Sequence, residues 1–334
     1  MDTIFFNHVY VESRATAVGP LEADGPLQGL FDETFQDLYC FEKNFELAER
    51  RLLACAVDHA LRKSGLQISD IDVVIAGDLM NQLMSSHYFG RDLSIPFIGM
   101  YAACATSSLI IGHAALYIEQ NLARRALAFT SSHVACAERQ FRFPNEYGIQ
   151  KKDTTTSTVT GAGAIVLGRK KTKIALKSFT IGKIVDWKYT NANDMGNAMV
   201  PAAFDTLQRH LTNCNHTLKD YDCIVTGDLS ALGSAFLKDL LVQEGYEHIE
   251  NVSDCGLRIY DVKSQDVFCG GSGSACSMIV SLTELLNKIE EGIFSRVLVL
   301  ATGALLSPVA IQQKESIPCI AHAIVYERSD VSCL

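Results

Sequence analysis

Short apolar runs recur along this chain without the polar alternation of a half-exposed strand. They are Val73 to Ala76, Ala126 to Phe129, Gly163 to Leu167, Ile224 to Val225, Val297 to Ala301 and Ala321 to Tyr326. Runs of Val, Ile, Leu and Ala of this length suit strands covered on both faces. Between them lie stretches with apolar residues three to four apart. From Glu42 to Ser64, Phe45, Ala48, Leu52, Cys55 and Ala56 share one side, and Gly65 is placed to end the helix. Helices are also expected from the Ala102–Ser107 region to about Asn121, from roughly Pro201 to Asn213, and from Gly273 to about Glu291.

The order of these elements repeats. Ile71-Asp72-Val73-Val74-Ile75-Ala76-Gly77-Asp78-Leu79 returns as Tyr221-Asp222-Cys223-Ile224-Val225-Thr226-Gly227-Asp228-Leu229. Ala102-Ala103-Cys104-Ala105 returns as Gly273-Ser274-Ala275-Cys276, and the strands opened by Arg125 and Arg296 follow in the same order. Matches at successive places in one order point to a duplication. Each unit reads helix, strand, helix, strand, which implies crossover connections and mixed or mainly parallel sheets. The expected division is 1–170 and 171–334, with no Pro/Gly/Ser-rich linker between the halves.

Composition narrows the function classes. A chain of 334 residues with 48% hydrophobic and 20% charged residues is a globular protein with a large core. A formal charge of −9 argues against general attraction to nucleic acid. No basic run followed by an apolar tract opens the chain, and the stretch Leu109 to Ile118 falls short of the ~20 residues a membrane span needs. Eleven scattered cysteines suit a reducing compartment. Cys214, His216 and Cys223 lack a fourth ligand at a convincing spacing, so no metal is expected, and no cofactor.

Two segments carry candidate chemistry. Cys104 stands between a strand candidate, Ile95 to Tyr101, and a helix start. Unpaired N–H groups there lower a thiol pKa and make a nucleophile; the alternative is a small thiol packed among alanines. The second segment, Ser131 to Pro144, follows a strand and contains His133, Arg139, Phe141, Arg142 and Phe143. Arg139 and Arg142 can clamp a carboxylate or simply pair with Glu138 and Glu146 at the surface. His133 is an equally open proton carrier. Gly161-Ala162-Gly163-Ala164 and Gly270-Gly271-Ser272-Gly273 lack the phosphate-loop spacing, and tight backbone packing explains them better.

Duplication together with the Cys104 junction resembles the thiolase fold of ketoacyl synthase III type, with layered α/β/α/β/α architecture. Longer runs narrow this further: Ala17-Val18-Gly19-Pro20, Ala137-Glu138-Arg139-Gln140-Phe141-Arg142, Thr156-Ser157-Thr158-Val159-Thr160-Gly161, Ala301 to Pro308 and Gln312 to His322. Over about residues 8 to 328 these resemble the stage V sporulation protein AD family of spore-forming bacteria. In ketoacyl synthases the cysteine works with a histidine and an asparagine from the second half. The matching positions here read Val225-Thr226-Gly227-Asp228 and Gly271-Ser272-Gly273-Ser274, with neither residue present.

The resemblance therefore implies a non-catalytic protein that binds dipicolinic acid or calcium-dipicolinate. It would serve uptake into the spore and release at germination, with integral membrane proteins of the same operon. It implies a cytoplasmic-side protein, peripheral on the forespore or spore inner membrane; thiolase-like relatives are commonly dimers, and the sequence leaves open whether this chain forms a homodimer. Cys104, His133, Arg139 and Arg142 are the expected ligand contacts, with Lys314 and His322 as substitutes for the arginines. The alternative is a Cys104-dependent acyltransferase or condensing enzyme assisted by His133.

Overall fold

The computed structural model describes residues 3–141 and 152–330. The apolar runs form ten main strands. In chain order they are β1 (Tyr10–Val18), β2 (Val73–Asp78), β3 (Phe97–Gly99), β4 (Arg125–Ser132), β5 (Gly161–Gly168), β6 (Ile174–Thr180), β7 (Cys223–Thr226), β8 (Val252–Asp254), β9 (Arg296–Ala304) and β10 (Cys319–Arg328). The helices are α1 (Phe45–Ser64), α2 (Met84–Leu93), α3 (Thr106–Glu119), α4 (Val134–Phe141), α5 (Met195–Cys214), α6 (Ser230–Gln243), α7 (274–290, with a π turn at Ser281–Leu285) and α8 (Pro308–Gln312).

The duplication is visible in the pairing. One side of the sheet runs β1-β5-β4-β2-β3 and the other β6-β10-β9-β7-β8, so each strand has its counterpart five places on. Both sides are antiparallel across their first two junctions and parallel across the last two. The sides meet through one pairing, Tyr10 with Ala175.

Alternate side chains on each strand divide among three apolar layers. On the outer face of the first side, Val74, Ala76, Leu127, Phe129, Ala162 and Ala164 pack against Ala48, Leu52 and Ala56 of α1. On the outer face of the second, Ile224, Leu298, Leu300 and Ala323 pack against Ala203, Leu207 and Leu211 of α5. The inner faces, with Ile75, Ala128, Ile165, Val225, Val299 and Ile324, share one cluster with Ile110 and Ile111 of α3 and Met278 and Ile279 of α7. Two helices thus lie between two half-sheets, with further helices outside: a layered α/β/α/β/α molecule.

The glycines of β5 serve this packing. A Cβ on Gly161 or Gly163 would come within 2.6 Å of Ile279 or Met278. At the centre, Ser107 of α3 and Ser277 of α7 share a buried hydrogen bond of 2.6 Å. Replacing either serine alone by alanine should strand the other hydroxyl and cost about 1–3 kcal/mol. The double alanine variant is expected to be more stable than either single one, read from urea midpoints.

Helix ends follow local chemistry, with one correction. Asn44 caps α1 by accepting from the Leu47 N–H at 2.9 Å, and Gly65 ends it at φ 69°. Helix α5 begins at Met195 instead of near Pro201, because Asp194 caps it by accepting from Asn197 N–H. Pro201 sits inside the helix. Proline favours a first turn, and that preference misplaces the start when a stronger cap lies upstream.

Candidate functional site

Cys104 occupies a tight turn between β3 and α3. Ala103 is held at φ 50°, a conformation few residues other than glycine adopt. Thr106 fastens the turn: its hydroxyl accepts from Ala102 N–H at 3.1 Å and donates to Ala103 C=O at 2.6 Å. Glycines let backbone close in from both sides. A Cβ on Gly77 would lie 2.1 Å from the Met100 oxygen, and one on Gly303 would lie 2.3 Å from the Ala102 oxygen.

The turn aims Cys104 into a small cavity at the meeting of the two halves. Its walls are Leu79, Ala103, Phe141, Met195, Met199, Ala304 and Leu306, with Thr156, Thr158, Asp228 and Ser272 supplying polar groups. Among the described residues that line it there is no histidine, asparagine, lysine or arginine. About 40 Å³ is free, room for only a few waters.

Asp228 is the buried charge of the cavity. Its carboxyl accepts from the Thr302 hydroxyl at 2.7 Å and from Gly273 N–H at 3.2 Å, and the Cys104 thiol bonds to it as well. Burial raises its pKa to about 6 against these donors. The thiol responds in the opposite sense to the sequence expectation. Burial and the Asp228 carboxyl push Cys104 well above the ordinary thiol value, outweighing the N–H groups of Gly273 and of Cys104 itself. The N–H donors are present, and burial first, then the carboxylate opposite, overrides them.

The other expected contacts lie elsewhere. His133 is buried at the end of β4, where Nε2 donates to Leu38 C=O at 2.8 Å and Nδ1 accepts from Ala135 N–H at 3.2 Å. Both ring nitrogens are engaged, burial lowers the pKa, and the ring stands 5.3 Å from that of Phe45. Arg139 is ion-paired with Glu46 and lines a surface groove with Tyr39, Lys43 and Phe45. The structure thus brings His133 and Arg139 to the start of α1 and neither to the Cys104 cavity. α4 turns Phe141 into the cavity and Arg139 away from it.

Arg142 and Phe143 lie outside the described residues. Lys314 does not line the cavity, and His322 is buried in β10, its Nδ1 accepting from Gly182 N–H. His216 hydrogen-bonds Tyr221, which also bonds His210, while Cys223 contacts Arg258 instead. Among the described residues no group of three possible metal ligands occurs.

Sequence reading passed over Asp228, Thr302, Met195 and Met199. The signal for Asp228 was the repeated Gly-Asp-Leu: the first copy, Asp78, caps its own loop through the N–H groups of Met80 and Ser86. In the second copy Asp254 takes over that capping, accepting from the N–H groups of Leu229, Ser230 and Gly256. Asp228 is thereby left to face Cys104.

Comparison with known proteins agrees with this architecture. 3-Oxoacyl-[acyl-carrier-protein] synthase III from Aquifex aeolicus superposes with a TM-score of 0.59 at 13% identity, covering 96% of this chain and 99% of that one. A variant of OleA from Xanthomonas campestris gives 0.62 at 14% identity, covering 96% and 97%. At such identities the likeness concerns the fold, which is thiolase-like. A curated relative from Bacillus subtilis, stage V sporulation protein AD, is 50% identical over 326 residues, 98% of this chain and 96% of the relative. The family model for stage V sporulation protein AD matches residues 2–327. The chain belongs to the stage V sporulation protein AD family.

Proposed function

We propose that this chain is a non-catalytic binding component for dipicolinic acid, free or as its calcium complex, in the machinery that loads and empties the spore. It works peripherally on the forespore or spore inner membrane beside integral membrane proteins of its operon. Membership of a stage V sporulation family supports the setting. Among the described residues no helix is long and apolar enough to cross a membrane, as a docked component requires.

The observation that carries the reading is the Cys104–Asp228 pair. A condensing cysteine needs a populated thiolate and a donor for the oxyanion. Here burial, and after it the carboxyl facing the thiol, raise its pKa. A proton transfer from such a thiol to a carboxylate of pKa about 6 runs steeply uphill. What remains is a binding pocket: Phe141, Met195 and Met199 offer apolar faces to a flat ring, and Thr156, Thr158 and Ser272 offer hydroxyls to carboxylates. The methionine side chains are unbranched and flexible, so they can swing to admit the ring.

Calorimetric titration with dipicolinate tests this, with benzoate as a one-carboxylate control. Cys104→Ser should bind within severalfold of the parent, and Cys104→Trp, which fills the cavity, should not bind. Arg139→Ala should bind like the parent, since Arg139 is engaged with Glu46 away from the cavity. Loss of a carboxylate clamp at Arg142 would remove ~1.5–3 kcal/mol, more than tenfold in Kd, and Arg142→Ala reads it. A lasting thioester on Cys104 after incubation with acyl-CoA, absent in Cys104→Ala, would overturn the reading in favour of an acyltransferase.

A further inference from the structure

Asp228 lines the Cys104 cavity that the dicarboxylate reading fills, and among the described residues lining that cavity there is no lysine, arginine or histidine. Thr302 donates to one carboxyl oxygen and Gly273 N–H to the other. From the elements packed around it, the ionisable groups that act on it or that it acts on are the thiols of Cys104, Cys276 on α7 and Cys319 on β10, and the Asp254 carboxyl at the end of β8. Among the described residues these are all neutral or negative groups. The residue is 1% exposed, so water screens it little.

Resting on the dicarboxylate reading above, we infer that Asp228 makes this a proton-coupled site, which takes the dicarboxylate together with one proton from solvent and holds that proton on the Asp228 carboxyl. Two carboxylates in one dry cavity do not both stay ionised, and one of them takes a proton. The ligand carboxylates belong to a chelating pair in open solution and remain ionised near neutrality. Asp228 is the group already displaced toward the protonated form by its burial. Charge then balances: the ligand enters as a dianion, Asp228 passes from −1 to neutral, and no bond to the ligand forms or breaks. Neutral Asp228 becomes a hydrogen-bond donor toward a ligand oxygen, while Thr302 and Gly273 still hold it in place.

Proton coupling has a direct readout. Dipicolinate is titrated calorimetrically into the full chain from about pH 6 to 8, in phosphate and in Tris, whose heats of protonation differ. The parent should take up a fraction of a proton near the lower end that approaches one at the upper, and its affinity should fall by up to about tenfold per pH unit there. Asp228→Asn should bind with an affinity nearly independent of pH and take up no proton. Binding to the parent with equal heats in both buffers would overturn the coupling and leave the dicarboxylate site standing. Proton uptake persisting in Asp228→Asn would do the same. No binding by the folded parent at any pH would overturn the site itself and the coupling with it. The two-buffer comparison on the parent needs no variant, so it decides even if Asp228→Asn does not fold.

Discussion

Gly303→Ala is expected to destabilise the protein by about 3 kcal/mol and to cripple the Cys104 cavity, although it adds one methyl group. Its Cβ would stand 2.3 Å from the Ala102 oxygen and 3.0 Å from the Ala105 nitrogen. Both are backbone atoms of the Cys104 turn, so no side chain can swing aside. β9 pairs with β10 through Gly303 itself and with β7 as far as Leu300, which limits its retreat. The turn itself must move, and it already carries Ala103 in the left-handed region. Gly77→Ala attacks the same turn from the opposite strand, with its Cβ 2.1 Å from the Met100 oxygen and 2.7 Å from the Thr106 methyl. Thermal melts should show both variants several degrees below the parent. Melts equal to the parent would mean that the turn is not clamped between these strands.

The second large effect is a fall in stability with rising pH, and Glu22 is its cleanest source. This carboxyl is buried where Tyr260 from the other half and the Thr160 N–H both donate to one oxygen, while the second oxygen has no hydrogen-bond partner among the described residues. Burial raises its pKa from 4.5 to about 7. At pH below 4.5 both folded and unfolded chains hold the proton, so the group is neutral in its effect. Between there and pH 7 the unfolded chain releases the proton while the folded one keeps it, and stability falls as pH rises. Above that window the deficit levels off at about 3 kcal/mol.

Glu22→Gln keeps an acceptor for Tyr260 and Thr160 and removes the ionisation. It should match the parent near about pH 4.5 and exceed it by up to about 3 kcal/mol near pH 8. Urea unfolding of both proteins at the two pH values reads the difference directly. A constant difference across the range would show that Glu22 ionises in the fold as it does in water. Burial also raises Glu49 and Asp254, so the parent's overall decline should be steeper than Glu22 alone produces.

What the chain alone determined is the part governed by local order. Short Val/Ile/Leu/Ala runs suit strands covered on both faces, and their repetition pointed to two like sets of elements. Gly65 ended its helix because the left-handed cap favours glycine. Besides Phe141, the site was legible only at Cys104, whose turn residues are neighbours in sequence. Its partners are not: Asp228, Gly273 and Thr302 come from three other segments, and no periodicity records that they converge. The direction of α4 decided that Phe141 enters the cavity while Arg139 pairs with Glu46, a matter of which helix face meets the sheet. The sign of the Cys104 shift was likewise tertiary. The Cys104 N–H acts locally and can be read from sequence, whereas the Gly273 N–H, the burial and the facing carboxyl exist only once the two halves close.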